Sequence, residues 1–215
     1  MIKIENAVFP SDAQWAAVVM GVRSPYASWE KSDSKWVDNQ VGNVFIPKYQ
    51  IGEADFNLMK RLAFAGDDHG KFLRMLPVTC SINAPFYFWK QLDTYKIGTV
   101  TDSCSTMHSI TKKAFEPEDF SIDNPKLNAE TVCNMNMLLD DYNAESNPEK
   151  KKKLWLDIIQ VLPEGYNQTR TWSGNYQVLR HMYHARKGHK LQEWHDFCRM
   201  IETFPNSELI TGRLE

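Results

Sequence analysis

Apolar positions recur at helical spacing in several stretches of the chain and alternate in a few short ones. Trp15, Val18 and Val19 fall on one side of a helix that Asp12 can cap. Residues 53–65 carry Phe56, Leu58, Met59, Leu62 and Phe64 in helical register, and Gly66 ends the run. A second short helix is expected over 69–75. Pro77-Val78-Thr79-Cys80-Ser81-Ile82 alternates apolar with polar and reads as a strand, as does Val44-Phe45-Ile46 before Pro47. The aromatic-rich stretch 84–92 reads as a helix with Pro85 in its first turn. Residues 94–102 are Thr-rich and β-like with Gly98 inside, and Asp102 or Ser103 then starts a helix through Ile110. Further helices are expected over 126–142, from Pro148 to Leu162 with Pro163 as the stop, over 172–186 and over 190–203. The polar stretch 24–43 reads as a long loop, a kind of segment that is uncommon in compact domains and often functional. The sum is a helix-dominated α+β chain, expected to be one domain over residues 1–215.

Composition narrows the classes. Hydrophobic residues make up 42% of the 215 and charged residues 24%, enough apolar surface to offset chain entropy. No apolar run approaches the ~20 residues of a spanning helix, and the N-terminal MIKIENAVF lacks the basic-then-apolar build of a secretory signal. No membrane association is expected. The net charge of −2 argues against a general nucleic-acid binder. Cys80, Cys104, Cys133 and Cys198 are widely spaced and form no C-x-x-C pair, which fits a reducing cytoplasm and small buried or spectator thiols.

Familiar phosphate-loop, dinucleotide, nucleophile-elbow and zinc-protease signatures are absent. The run Lys150 to Lys153 reads as a solvated helix face. His181 and His184 stand one turn apart, but no acidic ligand pattern joins them, and no metal is expected. Two segments stand out. From Thr99 to His108, hydroxyl side chains cluster around an expected strand-to-helix junction, which suits either an anion at free helix N–H groups or an over-provided N-cap. In the stretch 175–186, Gln177, Arg180, His181 and His184 form one polar stripe beside Tyr176, Leu179 and Tyr183. That stripe faces either solvent or a polar ligand.

At these segments the sequence resembles the flavin-dependent thymidylate synthases. Their signature, near R-H-R-x-x-S-x-N-E-x-S-x-R, is matched from Ala84-Pro85-Phe86 and Gln91 through Thr94-Tyr95-Lys96, Thr99, Thr101-Asp102, Cys104 and Thr106. A later family segment is matched by Leu162-Pro163, Asn175-Tyr176-Gln177, Arg186 and Glu193-Trp194. Asp68-His69 resembles the family's Gly-His stretch, and Val22-Arg23-Ser24 adds a weaker likeness. The resemblance covers about 66–205. The departures are specific: Arg-His-Arg becomes Thr94-Tyr95-Lys96, Asn-Glu becomes Thr101-Asp102, and the Arg of Asn-x-Arg becomes Gln177. A neutral amide there replaces a fixed charge and a bidentate fork.

The resemblance implies a helix-rich subunit with a central, mostly antiparallel sheet flanked by helices, and a homotetramer with sites between subunits. It implies FAD as cofactor, NADPH as reductant, and a one-carbon unit from methylenetetrahydrofolate delivered to dUMP without a cysteine nucleophile. On this mapping Gln177 and Arg180 are the candidate catalytic residues, facing the base together with His181. Thr94, Tyr95, Lys96, Asp102, Asn175, His181, His184 and Arg186 are candidates for the cofactor, and Gln91, Ser103, Cys104, Ser105 and Thr106 for the nucleotide; Lys96 also suits its phosphate. Two other readings stand beside it: an inactive descendant that binds a nucleotide or nucleotide-derived signal, and a protein that keeps the fold alone.

Overall fold

The computed structural model describes residues 2–42 and 44–212. Asn43, the last residue of the expected loop, and Met1 lie outside the described residues. In chain order the elements are β1 (Lys3–Val8), α1 (Asp12–Arg23), β2 (Lys35–Val41), β3 (Val44–Gln50), α2 (Glu53–Phe64), β4 (Pro77–Pro85), α3 (Phe86–Leu92), β5 (Val100–Ser103), α4 (Thr106–Ser109), α5 (Pro125–Ala144), α6 (Pro148–Val161), β6 (Asn167–Asn175), α7 (Tyr176–Arg186), α8 (Gln192–Glu202) and α9 (Glu208–Thr211). The fold is α+β, with a mostly antiparallel four-stranded sheet in the order β1-β4-β6-β5, flanked by helices. β2 and β3 form a separate antiparallel hairpin.

Two compact units divide the chain. One comprises 1–5, 81–94 and 101–171. Its apolar cluster joins Ile110, Phe115, Phe120, Met135, Leu139 and Ile158, with Val132 and Tyr166 packed on it. The phenol of Tyr166 is pushed up to about 12 by burial. The other unit comprises 6–80, 95–100 and 172–215. There Trp172 and Trp194 each meet Phe197 edge-on, and Trp15 meets Tyr176. Burial pushes the thiols of Cys80 and Cys198 up to about 11, so both act as small apolar groups.

Several boundaries differ from the sequence expectation, each for a local reason. Ser11, not Asp12, caps α1, in a reciprocal box with Gln14. The expected loop at 24–43 holds two 3₁₀ turns, Ser24–Tyr26 and Trp29–Lys31, and then the strand β2. Pro47 is tolerated in β3 because the hairpin has only two strands, so a residue with no N–H to donate can sit at a position that faces away from the ladder. Trp172 to Asn175 belong to β6, not to a helix: Trp172 is buried from a strand, and helix α7 starts only after Asn175, whose side chain accepts from the Val178 N–H. The segment 94–99 is a turn, and Asp102 and Ser103 lie in β5. β1 and α9 carry too few periodic positions to stand out in the sequence.

The stretch 32–34 has a structural task. Asp33 accepts from the Ala54 and Asp55 N–H groups, capping α2 where its own N-cap, Gly52, has no side chain. The Asp55 carboxylate accepts from Arg23 Nε at 2.6 Å and from the Ser32 and Ser34 hydroxyls. Burial pushes that carboxyl up, but these hydrogen bonds outweigh it and hold it below the usual carboxylate range.

Candidate functional site

The site grows from the start of α7. β6 delivers the chain to it through Trp172, which is 1% exposed, and Gly174, where an added Cβ would lie 2.3 Å from the Trp172 ring. Asn175 then caps the helix. Positions 177 and 181 are one turn apart and therefore share a face. That face lines a cleft of about 350 Å³ together with Asp67, Arg74 and Asn175. Ile97 and Gly98 form part of its wall; Gly98 has φ +76°, and an added Cβ would sit 3.1 Å from the Asn175 amide nitrogen. Glycine is needed there on both counts.

A chain of polar contacts runs across the cleft. Arg74, from the 3₁₀ turn Gly70–Met75, donates through Nε to the Gln177 side-chain oxygen. The Gln177 amide lies near enough to Asp67 to lower its carboxyl pKa, and Asp67 meets His181 Nε2 at 3.0 Å. The Asp67 carboxyl is held below the usual range, chiefly by His181, against burial, with smaller contributions from Gln177 and Arg74. Gln177 is 6% exposed, so its amide is oriented by partners on both sides. Nε alone of the five Arg74 donors is engaged among the described residues. The cleft thus offers guanidinium and amide donors, a carboxylate acceptor and an imidazole within one concavity.

The second half of the polar stripe turns elsewhere. Arg180 Nη1 donates to the carbonyls of Gly212 at 2.9 Å, Ile210 at 3.3 Å and Leu209 at 3.4 Å, and its guanidinium lies over the Phe64 ring. Burial lowers the pKa of its guanidinium against the pull of Asp67. His184 Nε2 meets the Ile210 carbonyl at 3.1 Å. These two side chains serve the open carbonyls at the end of α9. Arg186 donates to the Tyr95 hydroxyl at 2.9 Å and stacks on Tyr95 and Trp194.

The remaining sequence candidates make other contacts. Thr94 donates to the Gln91 carbonyl and closes the last turn of α3. Lys96, Asp102 and Ser103 are exposed. The Cys104 N–H donates to the Thr169 carbonyl, and its own carbonyl accepts from Gln168 Nε2. Gln168 in turn receives Arg170, which pairs with Asp93 and lies over Trp89. Ser105 and Thr106 stand at the start of α4, four residues long, without a side-chain cap bond. The helix that starts here is a single short turn with few free N–H groups, and Thr101 and Ser103 lie in the strand before it.

Arg74 and Asp67 were not singled out in the sequence. Asp67 neighbours the Asp68-His69 pair that was, and Arg74 sits in the short helix expected over 69–75, but neither belongs to a spaced motif. Among the described residues no group of three or more His, Cys, Asp or Glu side chains could hold a metal ion. No helix among them is long and apolar enough to cross a membrane.

No protein-family model matches the chain, and no curated protein does. Solved structures do. Thymidylate synthase X from Helicobacter pylori with FAD and dUMP superposes at TM-score 0.69 and 17% identity, covering 98% of this chain and 96% of that one. A second structure of the Helicobacter pylori flavin-dependent enzyme, complexed with FAD and dUMP, gives TM-score 0.70 and 19% identity over 100% and 99% of the two chains. At these identities the likeness establishes the fold, and over nearly its full length this chain has the fold of thymidylate synthase X.

Proposed function

We propose that this protein is a divergent flavin-dependent thymidylate synthase-like enzyme. It would carry out reductive one-carbon transfer to dUMP or a related pyrimidine nucleotide, with FAD as cofactor and NADPH and methylenetetrahydrofolate as co-substrates. The observation that carries the reading is the contact chain Arg74–Gln177–Asp67–His181 in one cleft, on a fold shared with structures that hold FAD and dUMP.

The residues present fit such a group. Pyrimidines and the flavin ring system both carry an acceptor–donor–acceptor imide edge. Arg74 and Gln177 supply donors for its oxygens, and Asp67 an acceptor for its N–H. At about 350 Å³ the cleft lies at the small end of ligand sites, which suits a ring headgroup with the rest of the ligand outside. Bound flavin would supply the reducing electron pair. Arg74 supplies the fixed positive charge that Gln177 lacks, placed to stabilise negative charge developing on a bound ring. With Nε2 held by Asp67, His181 would hold or pass a proton at Nδ1. Asn175 and Gly98 bring backbone close to the ligand, and Arg180, through α9, acts as a positioning residue. A homotetramer would complete the open cleft, and free thiols at all four cysteines suit a cytoplasmic setting.

A second reading is nucleotide binding without chemistry. It is favoured by the commitment of Arg180 and Arg186 to partners within the chain, which takes two cations away from stabilising charge on a bound ring. One experiment separates the two. Protein purified with FAD is examined by absorbance, then given NADPH, dUMP and methylenetetrahydrofolate. The enzyme reading expects near-stoichiometric flavin, bleached by NADPH, with dTMP formed when all substrates are present. Colourless protein that still binds dUMP supports the second reading, and failure to bind either ligand contradicts both.

A further inference from the structure

The compact unit that holds none of the α7 cleft carries a cleft of its own, of about 270 Å³. Its floor is one face of the sheet. On β4, Ile82 and Ala84 are buried in the apolar layer, so Asn83 between them points to the opposite face. Asn83 Nδ2 donates to the Thr169 hydroxyl of β6 at 2.9 Å, and Asn167, two residues earlier in β6, shares that face. Ile2 is buried just before β1, and Lys3 beside it emerges into the cleft. The wall over this face is the stretch 118–123, and several ties hold it. The Ser121 N–H donates to the Gly165 carbonyl at 2.8 Å, the Ser121 hydroxyl to Asn167 Oδ1 at 2.8 Å, and Asn167 Nδ2 to the Glu118 carbonyl at 3.0 Å. Gly165 permits the approach, because an added Cβ would lie 3.1 Å from the Ile122 side chain and 3.2 Å from the Ser121 carbonyl oxygen. Phe120 is 4% exposed and anchors the wall in the apolar cluster of this unit. The cleft is thus shaped before any ligand arrives.

Charges of both signs line this cleft and are left open. Within the wall Asp119 is committed: it accepts from the Glu116 N–H and pairs with Lys113 at 2.9 Å. Glu118, Asp123 and Lys3 line the cleft, yet among the described residues none of the three enters an ion pair. The Asn83 amide spends a donor on Thr169, which leaves its oxygen as a further acceptor. An ammonium carries three donors, and Glu118, Asp123 and the Asn83 oxygen offer three acceptors. Lys3 is the counter-charge for a carboxylate on the same molecule. Phe120 and Ile122 add apolar surface beside these groups. A divalent cation suits the cleft less, because it would sit against Lys3. At about 270 Å³ the cleft falls below the ~300–1,000 Å³ usual for drug-sized ligands, so its occupant is small. A small zwitterion with an apolar body answers every group in the lining.

We propose that this cleft binds a free α-amino acid with a small apolar side chain, its carboxylate on Lys3 and its ammonium between Glu118 and Asp123. The site is independent of the α7 cleft and of the reaction assigned to it.

The test is calorimetric titration of the full chain with L-valine, N-acetyl-L-valine and L-valinamide. The acetyl form lacks the ammonium and the amide form lacks the carboxylate. Lys3→Glu and Asp123→Lys reverse one charge each, and Asp123→Asn serves as the milder variant. Lys150→Gln removes an exposed charge from α6 outside the cleft. Circular dichroism verifies the fold of each. The expected result is L-valine binding that weakens about tenfold or more with either charge reversal and stays unchanged in Lys150→Gln. Both capped forms should bind at least about tenfold more weakly than L-valine. The proposal is overturned if L-valine does not bind, if either capped form binds as well, or if the Lys3 and Asp123 variants bind as wild type does. Tighter binding of L-valinamide to Lys3→Glu than of L-valine to wild type would make the cleft an amine site and also overturn it. None of these outcomes depends on FAD or dUMP, so failure here leaves the reading of the α7 cleft untouched.

Discussion

Helix α7 and the hydroxyl-rich segment around Cys104 carry the same family likeness, yet the fold treats them differently. On α7, side chains one turn apart emerge on shared faces, so Gln177 and His181 meet Arg74 and Asp67, while Arg180 and His184 reach the carbonyls at the end of α9. Around Cys104 the hydroxyls alternate along a strand or stand beside a helix too short to present an array of N–H groups, and the backbone is tied to β6. Residue type alone placed both segments at a ligand. Helical periodicity turned one into a lined cleft, and strand alternation dispersed the other.

Substitutions can break this contrast, beginning with the largest effect. Trp172→Ala removes the buried ring that delivers β6 into α7 and should cost about 3–5 kcal/mol in urea unfolding. Asp55→Asn leaves Arg23 buried without its counter-charge and should cost roughly as much at neutral pH. Because the Asp55 carboxyl is held below its unfolded value near ~4, its contribution is present above that pH and is lost as pH falls through the lower folded value. The stability gap between wild type and Asp55→Asn should therefore narrow in acid, and a constant gap from neutral pH into strong acid would contradict the assignment. Arg74→Ala should weaken ligand binding in the α7 cleft about tenfold or more, since charged hydrogen bonds are worth ~1.5–3 kcal/mol, with little change in stability. Arg180→Met should do the opposite: about 1–2 kcal/mol less stability from the uncapped carbonyls and a smaller effect on binding. Ser105→Ala removes no cap bond, so both stability and binding should stay within ~0.5 kcal/mol of wild type.

Much of the fold was legible in the sequence because α2, β4, α5 and α6 carry clean periodicity and are bounded by Gly66, Pro77, Asn124 and Pro163. The misread segments share a cause. At 172–175 a buried Trp and a glycine suit a strand's tight approach as well as a helix, and single-residue pattern cannot choose between them. At 24–43 polarity suggested a functional loop. Its serines and Asp33 instead satisfy the start of α2 and the carboxylate of Asp55, partners about twenty residues away in sequence that no local pattern reveals. The α7 half of the candidate site was visible as a polar stripe. Its partners Asp67 and Arg74 were not, because hydrogen bonds such as that from Arg74 to Gln177, 103 residues apart, are made only by the tertiary fold.

The most direct measurement is the affinity for FAD and dUMP of wild type, Arg74→Ala and the double variant Ser105→Ala/Thr106→Ala, all assayed at equal folded stability. The account predicts that wild type and the double variant bind alike and that Arg74→Ala loses about tenfold or more. Binding that survives Arg74→Ala but disappears with the two hydroxyls would contradict it and return the site to the segment around Cys104.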